Sequence, residues 1–222
     1  MDNRETRERY YPSYLEVDKL LSLQHPLTQI GEVLGAHDEM LFIITHQAYE
    51  LWFKQVLHEI NACIKVMRKD NIDDEGPELN LVVHRLNRIV EIWKLLNHQV
   101  DVLETMTPLD FLDFRGHFKG ASGFQSRQFR EIEARLGLRM DQRHQKEYYK
   151  HTNIGGFNED DYNRLTDVER DHTMLQCINR WLERMPFFSL YFWLSPTDPT
   201  KDGNENNPAD HPFWKDSGFS DT

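Results

Sequence analysis

His37-Asp38-Glu39-Met40-Leu41-Phe42-Ile43-Ile44-Thr45-His46-Gln47-Ala48-Tyr49-Glu50-Leu51-Trp52-Phe53-Lys54-Gln55 reads as one helix carrying a histidine in an aromatic setting. Phe42, His46 and Trp52-Phe53 recur near the i, i+4 spacing that brings side chains onto neighbouring helix surface. Leu41, Ile44, Leu51, Val56, Ile60, Ile64 and Met67 continue an apolar stripe of helical period, so the helix is expected from near His37-Asp38 to about Arg68. Asp70-Asn71-Ile72-Asp73-Asp74-Glu75-Gly76-Pro77 breaks it with acids and a Gly-Pro pair. A second long helix is expected over about Glu78 to Thr105, on the stripe Leu81, Val82, Leu86, Ile89, Ile92, Trp93, Leu96, Val100 and Leu103. Two long helices joined by a short loop form an antiparallel pair, the nucleus of an all-α helical bundle.

Outward from this pair the elements are shorter. Ser13 is a candidate N-cap for a helix through Tyr14, Leu15, Leu20 and Leu21 that ends near His25-Pro26. Met106-Thr107-Pro108 stops the second long helix, and a short one follows over Leu109 to His117. After the small-residue turn Lys119 to Gly123, another helix is expected from Phe124 to about Leu136, with Ser122 as a candidate cap. Arg139 to Glu169 is polar, reads as a mostly surface segment, and contains the Gly155-Gly156 pair. Asp167 to Arg184 reads as one amphipathic helix stopped by Pro186. The Pro-, Asp- and Asn-rich stretch 195–222 reads as a linker or tail after a single helical domain over 1–194.

The composition narrows the function classes. With 37 acidic against 26 basic residues and a formal net charge of −11, the chain lacks the concentrated Lys and Arg that a nucleic-acid partner needs. Arg135, Arg139 and Arg143 alternate with acids and read as a solvated face. No run is long and apolar enough for a membrane span, and the charged start Met1-Asp2-Asn3-Arg4-Glu5 is unlike a signal peptide, so a cytoplasmic protein is expected. Cys63 and Cys177, both in apolar helical contexts, are expected to be buried free thiols. Metal readings are weak: Glu169-Arg170-Asp171-His172 is a single Glu-x-x-His without a second copy, and His46 with Glu50 is only a pair. No Gly-x-Ser-x-Gly turn supports a hydrolase.

The long helix does not stand alone. Tyr11-Pro12-Ser13-Tyr14-Leu15 with Asp18-Lys19-Leu20-Leu21, then Leu103-Glu104-Thr105-Met106-Thr107-Pro108-Leu109-Asp110-Phe111 with Phe114-Arg115, then Ala121-Ser122-Gly123-Phe124-Gln125-Ser126-Arg127-Gln128-Phe129-Arg130 follow in order. Together with the His46 segment these blocks resemble the tryptophan 2,3-dioxygenase family, haem enzymes that open the indole ring of L-tryptophan with O2. The resemblance runs from about Tyr10 to Gly137 and continues more weakly to Trp181-Leu182-Glu183-Arg184-Met185-Pro186.

The resemblance implies haem b as cofactor, L-tryptophan and O2 as substrates, N-formyl-L-kynurenine as product and a homotetramer. It implies that His46 is the distal histidine, that Arg115 grips the substrate carboxylate, and that Phe42 and Phe111 wall the indole with Ile43, Ile44 and Thr45 alongside. Ser122 and Phe129 match positions near the haem, and Tyr11, Tyr14 and Leu15 match residues reaching over from a neighbouring subunit. Without it, Arg115 reads as a surface ion pair, the tyrosines as packing, and His46 as a core or interface histidine. A non-catalytic oligomerisation fragment and a haem oxygenase of another indole or aromatic amino acid are the alternatives.

The family's axial histidine and the Gly-, Thr- and Ser-rich loop that follows it are not found in this sequence; His172 and His211, the histidines after His151, lack the expected surroundings. The chain therefore reads as a fold lacking C-terminal helices, the first part of such an enzyme, or else as one piece of a split enzyme or a reduced homologue. Haem titration of the purified chain, followed by absorbance, is expected to show no stable one-to-one complex and no formylkynurenine formation. A sharp Soret band with turnover would locate an axial ligand among these residues.

Overall fold

With no glycine or proline to interrupt it, the first long run forms α3, Asp38–Met67, and its apolar positions turn toward a second helix. The computed structural model describes residues 10–28, 35–118, 122–143 and 156–184. Among them lie α1 (Tyr11–Leu15), α2 (Val17–Leu20), α3, α4 (Pro77–Leu103), α5 (Pro108–Arg115), α6 (Arg127–Leu136), α7 (Glu159–Arg170) and α8 (Met174–Glu183), with no strand. The all-α expectation holds, and α3 and α4 lie within two residues of their expected bounds. The expected tail at 195–222 and the segment Met1–Arg9 lie outside the described residues. The chain divides into two compact units, Met1–Ile178 and Asn179–Thr222; of the second unit the described residues are the end of α8 and the turn to Arg184.

Side chains that cross between α3 and α4 step in opposite directions along the two helices, which makes the pair antiparallel. The Gln99 amide donates to the Thr45 carbonyl at 3.2 Å, the Tyr49 hydroxyl to the Leu96 carbonyl at 2.7 Å, and Arg88 to Glu59 at 2.7 Å. Between and beyond these rungs Val56, Ile60, Cys63, Ile64 and Met67 are buried on α3, and Val82, Ile89, Ile92 and Leu96 on α4. Burying each large aliphatic side chain contributes roughly 1.5–3 kcal/mol. Cys63 and Cys177 are buried free thiols, and burial pushes Cys63 up to about 11, so it packs as an apolar residue.

The expected stripes are only partly inward. Ile44 and Leu51 are 49% and 52% exposed, and Leu81 and Val100 are 42% exposed: on α3 the buried seam takes in Phe53 and Leu57, which the stripe omits, and on α4 it keeps Val82, Ile89, Ile92 and Leu96 of the expected stripe.

α6 packs on α3 through Gln128, whose amide donates to the Glu50 carbonyl and carboxylate, both at 2.8 Å. Its other side meets α7, where Ala134, Phe157 and Leu165 form a small core covered by Met140 and Val168. The left-handed Gly137 (φ 100°) ends α6; a Cβ there would lie 2.8 Å from the Leu175 side chain, so only glycine fits.

Four sequence expectations are corrected. The single N-terminal helix is two, because Glu16 adopts a left-handed conformation (φ 53°) that closes α1; Ser13 lies inside α1 and caps nothing. The single helix from Asp167 is also two: Asp171 is extended, and Thr173 with Gln176 forms a reciprocal cap that restarts the chain as α8. α6 starts at Arg127, capped by the Ser126 hydroxyl accepting from the Phe129 amide at 3.2 Å, so Ser122 is not its cap. The arginines are not one solvated face: Arg143 is buried and ion-paired with Glu169 at 2.6 Å, Arg135 pairs with Asp171 at 2.5 Å, and Arg139 is exposed beside Asp141.

Glu59 is the buried charge at the α3–α4 seam. Burial alone would raise its carboxyl, but hydrogen bonds from Arg88 and Gln55 and the nearby positive charge outweigh that and hold it below the ordinary 4.5. A depressed folded value means stability that is complete above the unfolded value and lost as pH falls through the folded one. Glu59→Gln is therefore expected to lower the unfolding free energy by about 1.5–3 kcal/mol near neutral pH, toward the lower end because Arg88 is half exposed. In urea titrations the deficit should shrink on acidification below 4.5; a deficit independent of pH would contradict the ionised pairing.

Candidate functional site

Thr107, Pro108 and Asp110 decide where α5 begins. The Asp110 carboxylate accepts from the Thr107 amide at 2.8 Å and hydroxyl at 2.6 Å, the Thr107 hydroxyl accepts from the Asp110 amide at 3.3 Å, and Pro108 occupies the first helical position. The Thr107 contacts hold the Asp110 carboxyl below its ordinary value. From that start Phe111 and Phe114 share a face three residues apart, and Phe118 falls four further on, just past the helix. Phe114 is fully buried and anchors the face.

This aromatic face meets Phe42, one turn into α3. The Phe42 ring lies 5.9 Å from Phe111, 5.5 Å from Phe114 and 5.4 Å from Phe118, and Phe114 sits edge-on to both of the others. Phe42 also meets His46, with ring centroids 4.0 Å apart. His46 Nδ1 donates to the Phe42 carbonyl at 2.8 Å. In the neutral imidazole that leaves Nε2 as an acceptor. Arg115 places its guanidinium 5.9 Å from the Phe111 ring centroid and donates a long bond of 3.4 Å to the Phe118 carbonyl. It is exposed and makes no ion pair among the described residues. An aromatic wall, a hydrogen-bond acceptor and a guanidinium thus meet at one corner of the α3–α5 packing.

Not every candidate from the sequence joins them. Ile43 is half-buried, Ile44 is half exposed, and Thr45 is 3% exposed with its carbonyl held by Gln99. Phe129 enters a different aromatic group, 5.6 Å from Phe53 and 6.5 Å from Trp93, with Arg130 over its ring. Ser122 is exposed, and its amide donates to the Gln125 side chain at 2.9 Å. Tyr11, Tyr14 and Leu15 are 70%, 63% and 46% exposed on α1. The weak metal candidates are otherwise engaged: Glu50 accepts from Gln128, and Glu169 from Arg143.

The family model for tryptophan 2,3-dioxygenase matches residues 2–206. The chain belongs to the tryptophan 2,3-dioxygenase family. Curated relatives named tryptophan 2,3-dioxygenase include one from Alteromonas mediterranea, 44% identical over 196 residues that cover 83% of this chain and 50% of the relative. One from Bdellovibrio bacteriovorus is 44% identical over 191 residues (83% and 51%), and one from Dictyostelium discoideum is 47% identical over 185 (82% and 44%). The chain spans about half the length of these relatives. Among its described residues no helix is long and apolar enough to cross a membrane.

Three residues of this corner have no site role in the sequence reading, although Phe114 is quoted there beside Arg115. Phe114 and Phe118 complete the aromatic face, and the spacing from Phe111 was the signal that could have found them. Glu39 carried none, since an acid in a first helical turn ordinarily serves the helix dipole. It is fully buried, one turn before Phe42, and accepts from the Leu27 amide at 2.7 Å, the Thr28 amide at 2.9 Å and, by a short contact, the Thr28 hydroxyl. Nearby, the Gln47 amide donates to the Leu23 carbonyl at 3.0 Å. The segment after α2 is thereby tied to the helix that bears Phe42 and His46.

Burial would raise the Glu39 carboxyl, but the Thr28 and Leu27 bonds, with the His117 charge, bring it below the ordinary 4.5. The tie is therefore complete above 4.5 and lost as pH falls through the lower folded value. Hydrogen exchange is expected to show the Leu27 and Thr28 amides exchanging faster in Glu39→Gln than in the parent chain at neutral pH. Equal protection in both would show that the carboxylate does not hold this segment.

Proposed function

We propose that this chain supplies the substrate-recognition side of a haem-dependent dioxygenase that opens the indole ring of L-tryptophan with O2 to give N-formyl-L-kynurenine, a step of tryptophan degradation along the kynurenine pathway. The observation that carries the reading is the α3–α5 corner, where Phe42 and Phe111, the half-engaged imidazole of His46 and the Arg115 guanidinium meet. An amino acid bearing an indole presents the complementary set: a carboxylate, a flat apolar ring and one N–H donor.

Arg115 takes the carboxylate through its planar fork, which matches two carboxylate oxygens as an ammonium cannot. His46 orients the ring by accepting the indole N–H at Nε2, since its Nδ1 hydrogen is given to the Phe42 carbonyl. No proton abstraction is asked of it. Phe42 and Phe111 are 5.9 Å apart. A ring inserted between two others needs roughly 7 Å, twice the carbon contact distance, so the pair flanks the indole and does not enclose it.

Haem, when bound, supplies the dioxygen chemistry. The described residues suit the substrate's side of that site. They do not suit the iron: apart from His46 every described histidine is exposed, and none is assigned as its ligand. Ser122 and Phe129 are assigned to the haem surroundings by the family pattern alone. Tyr11, Tyr14 and Leu15, exposed on α1, close the pocket of a second copy in a cytoplasmic homotetramer.

In the haem-bearing protein, Arg115→Leu is expected to weaken L-tryptophan binding by about 1.5–3 kcal/mol, the worth of a charge-assisted bond, while leaving the haem absorbance unchanged. Unchanged tryptophan affinity in an absorbance titration would remove Arg115 from the carboxylate site.

A further inference from the structure

At the far end of α3 the molecule has a second feature whose chemistry the aromatic corner does not use. The last turns of α3 and α6 and the residue after α7 line a cleft of about 390 Å³, bordered by Asn61, Ile64, Lys65, Arg68, Arg135 and Asp171. Arg68 follows His46 by 22 residues on the same helix, about 33 Å along its axis, so this cleft is separate from the α3–α5 corner.

Its charges do not balance. Asp171 Oδ2 lies 2.5 Å from Arg135 Nη1, and its Oδ1 lies 3.3 Å from Arg68 Nη1, so one carboxylate serves two guanidiniums. Lys65 lines the same cleft and makes no ion pair among the described residues. A cation near the end of α3 and another near the end of α6 are what helix dipoles favour. The dipole does not account for Lys65 and Arg68 together, three residues apart on one face, where like charges repel. The lining thus carries three cations against one acid, in a chain whose formal net charge is −11. Each guanidinium has five N–H donors, and the Asp171 contacts leave donors on both for another oxyanion.

We propose that this cleft binds a small multivalent oxyanion, a phosphate or a di- or tricarboxylate, gripped by Lys65, Arg68 and Arg135 with the Asn61 amide as a further donor. Asp171 competes with the ligand for the two arginines and sets the affinity from within.

The test titrates inorganic phosphate and, separately, citrate into the full chain at low ionic strength, with acetate as the monovalent control. Calorimetry reads affinity and amide chemical shifts read location. Saturable binding of phosphate or citrate is expected, with shifts at residues 61–68, 135 and 171 and no saturation by acetate; whichever anion binds tighter identifies the class. Lys65→Gln, at an exposed position, should weaken binding by about threefold or more, as loss of a partly exposed ion pair does. Asp171→Asn, if its melting curve remains cooperative, should tighten it; if that variant unfolds, Lys65→Glu replaces it and should weaken binding further than Lys65→Gln. Absence of saturation with both anions, shifts confined to another surface, or an affinity unchanged in Lys65→Gln overturns the proposal.

Discussion

Because an α-helix advances 1.5 Å per residue, the 30 residues of α3 span about 45 Å, and each element that packs on it meets a different part of that length. The C-terminal half is clamped against α4 by the buried aliphatic seam and by Glu59 reaching Arg88. The middle receives α6 through Gln128 on Glu50 and Phe129 on Phe53. The N-terminal turns are left for α5 and for the segment held by Glu39. A kink or break in α3 would therefore change the relation of Phe42 and His46 to Phe111 and Arg115, although none of those residues belongs to the main seam.

That division explains which parts of the fold could be read from the residues. The two long helices were visible because period and breakers agree: the acids and Gly76-Pro77 stop α3 and restart the chain as α4. Glu16 and Asp171 were missed for a common reason. Each ends a helix through a device that leaves no local mark in the sequence, a left-handed φ in one case and, in the other, an extended residue paired with arginines 36 and 103 positions away, and neither depends on a glycine or proline. Periodicity also counts apolar residues without saying what covers them, so Leu51 and Ile44 entered the expected stripe yet remain about half exposed. Arg143 looked solvated because its partner, Glu169, lies 26 residues away.

The site divides similarly. Phe42 and His46 share one helix, Phe111 and Arg115 another, and the capped start of α5 with Phe114 as a buried anchor brings the two pairs together. Helical spacing makes each pair predictable; the meeting of the pairs rests on tertiary packing that no short motif encodes. Phe129 shows the limit of motif reasoning, since its ring serves the contact between α3, α4 and α6 and lies among Phe53 and Trp93. Glu39 shows another limit: its role depends on burial and on two backbone amides of a segment eleven or twelve residues earlier.

The central claim is that one corner recognises both ends of an indole amino acid, the ring through His46 and the carboxylate through Arg115. A crystal structure of the haem-bearing protein with L-tryptophan tests it most directly. The account predicts the carboxylate on the Arg115 guanidinium and the indole nitrogen within hydrogen-bond distance of His46 Nε2, with Nδ1 still on the Phe42 carbonyl. A carboxylate held by a different cation, or an indole nitrogen turned away from His46, would contradict it.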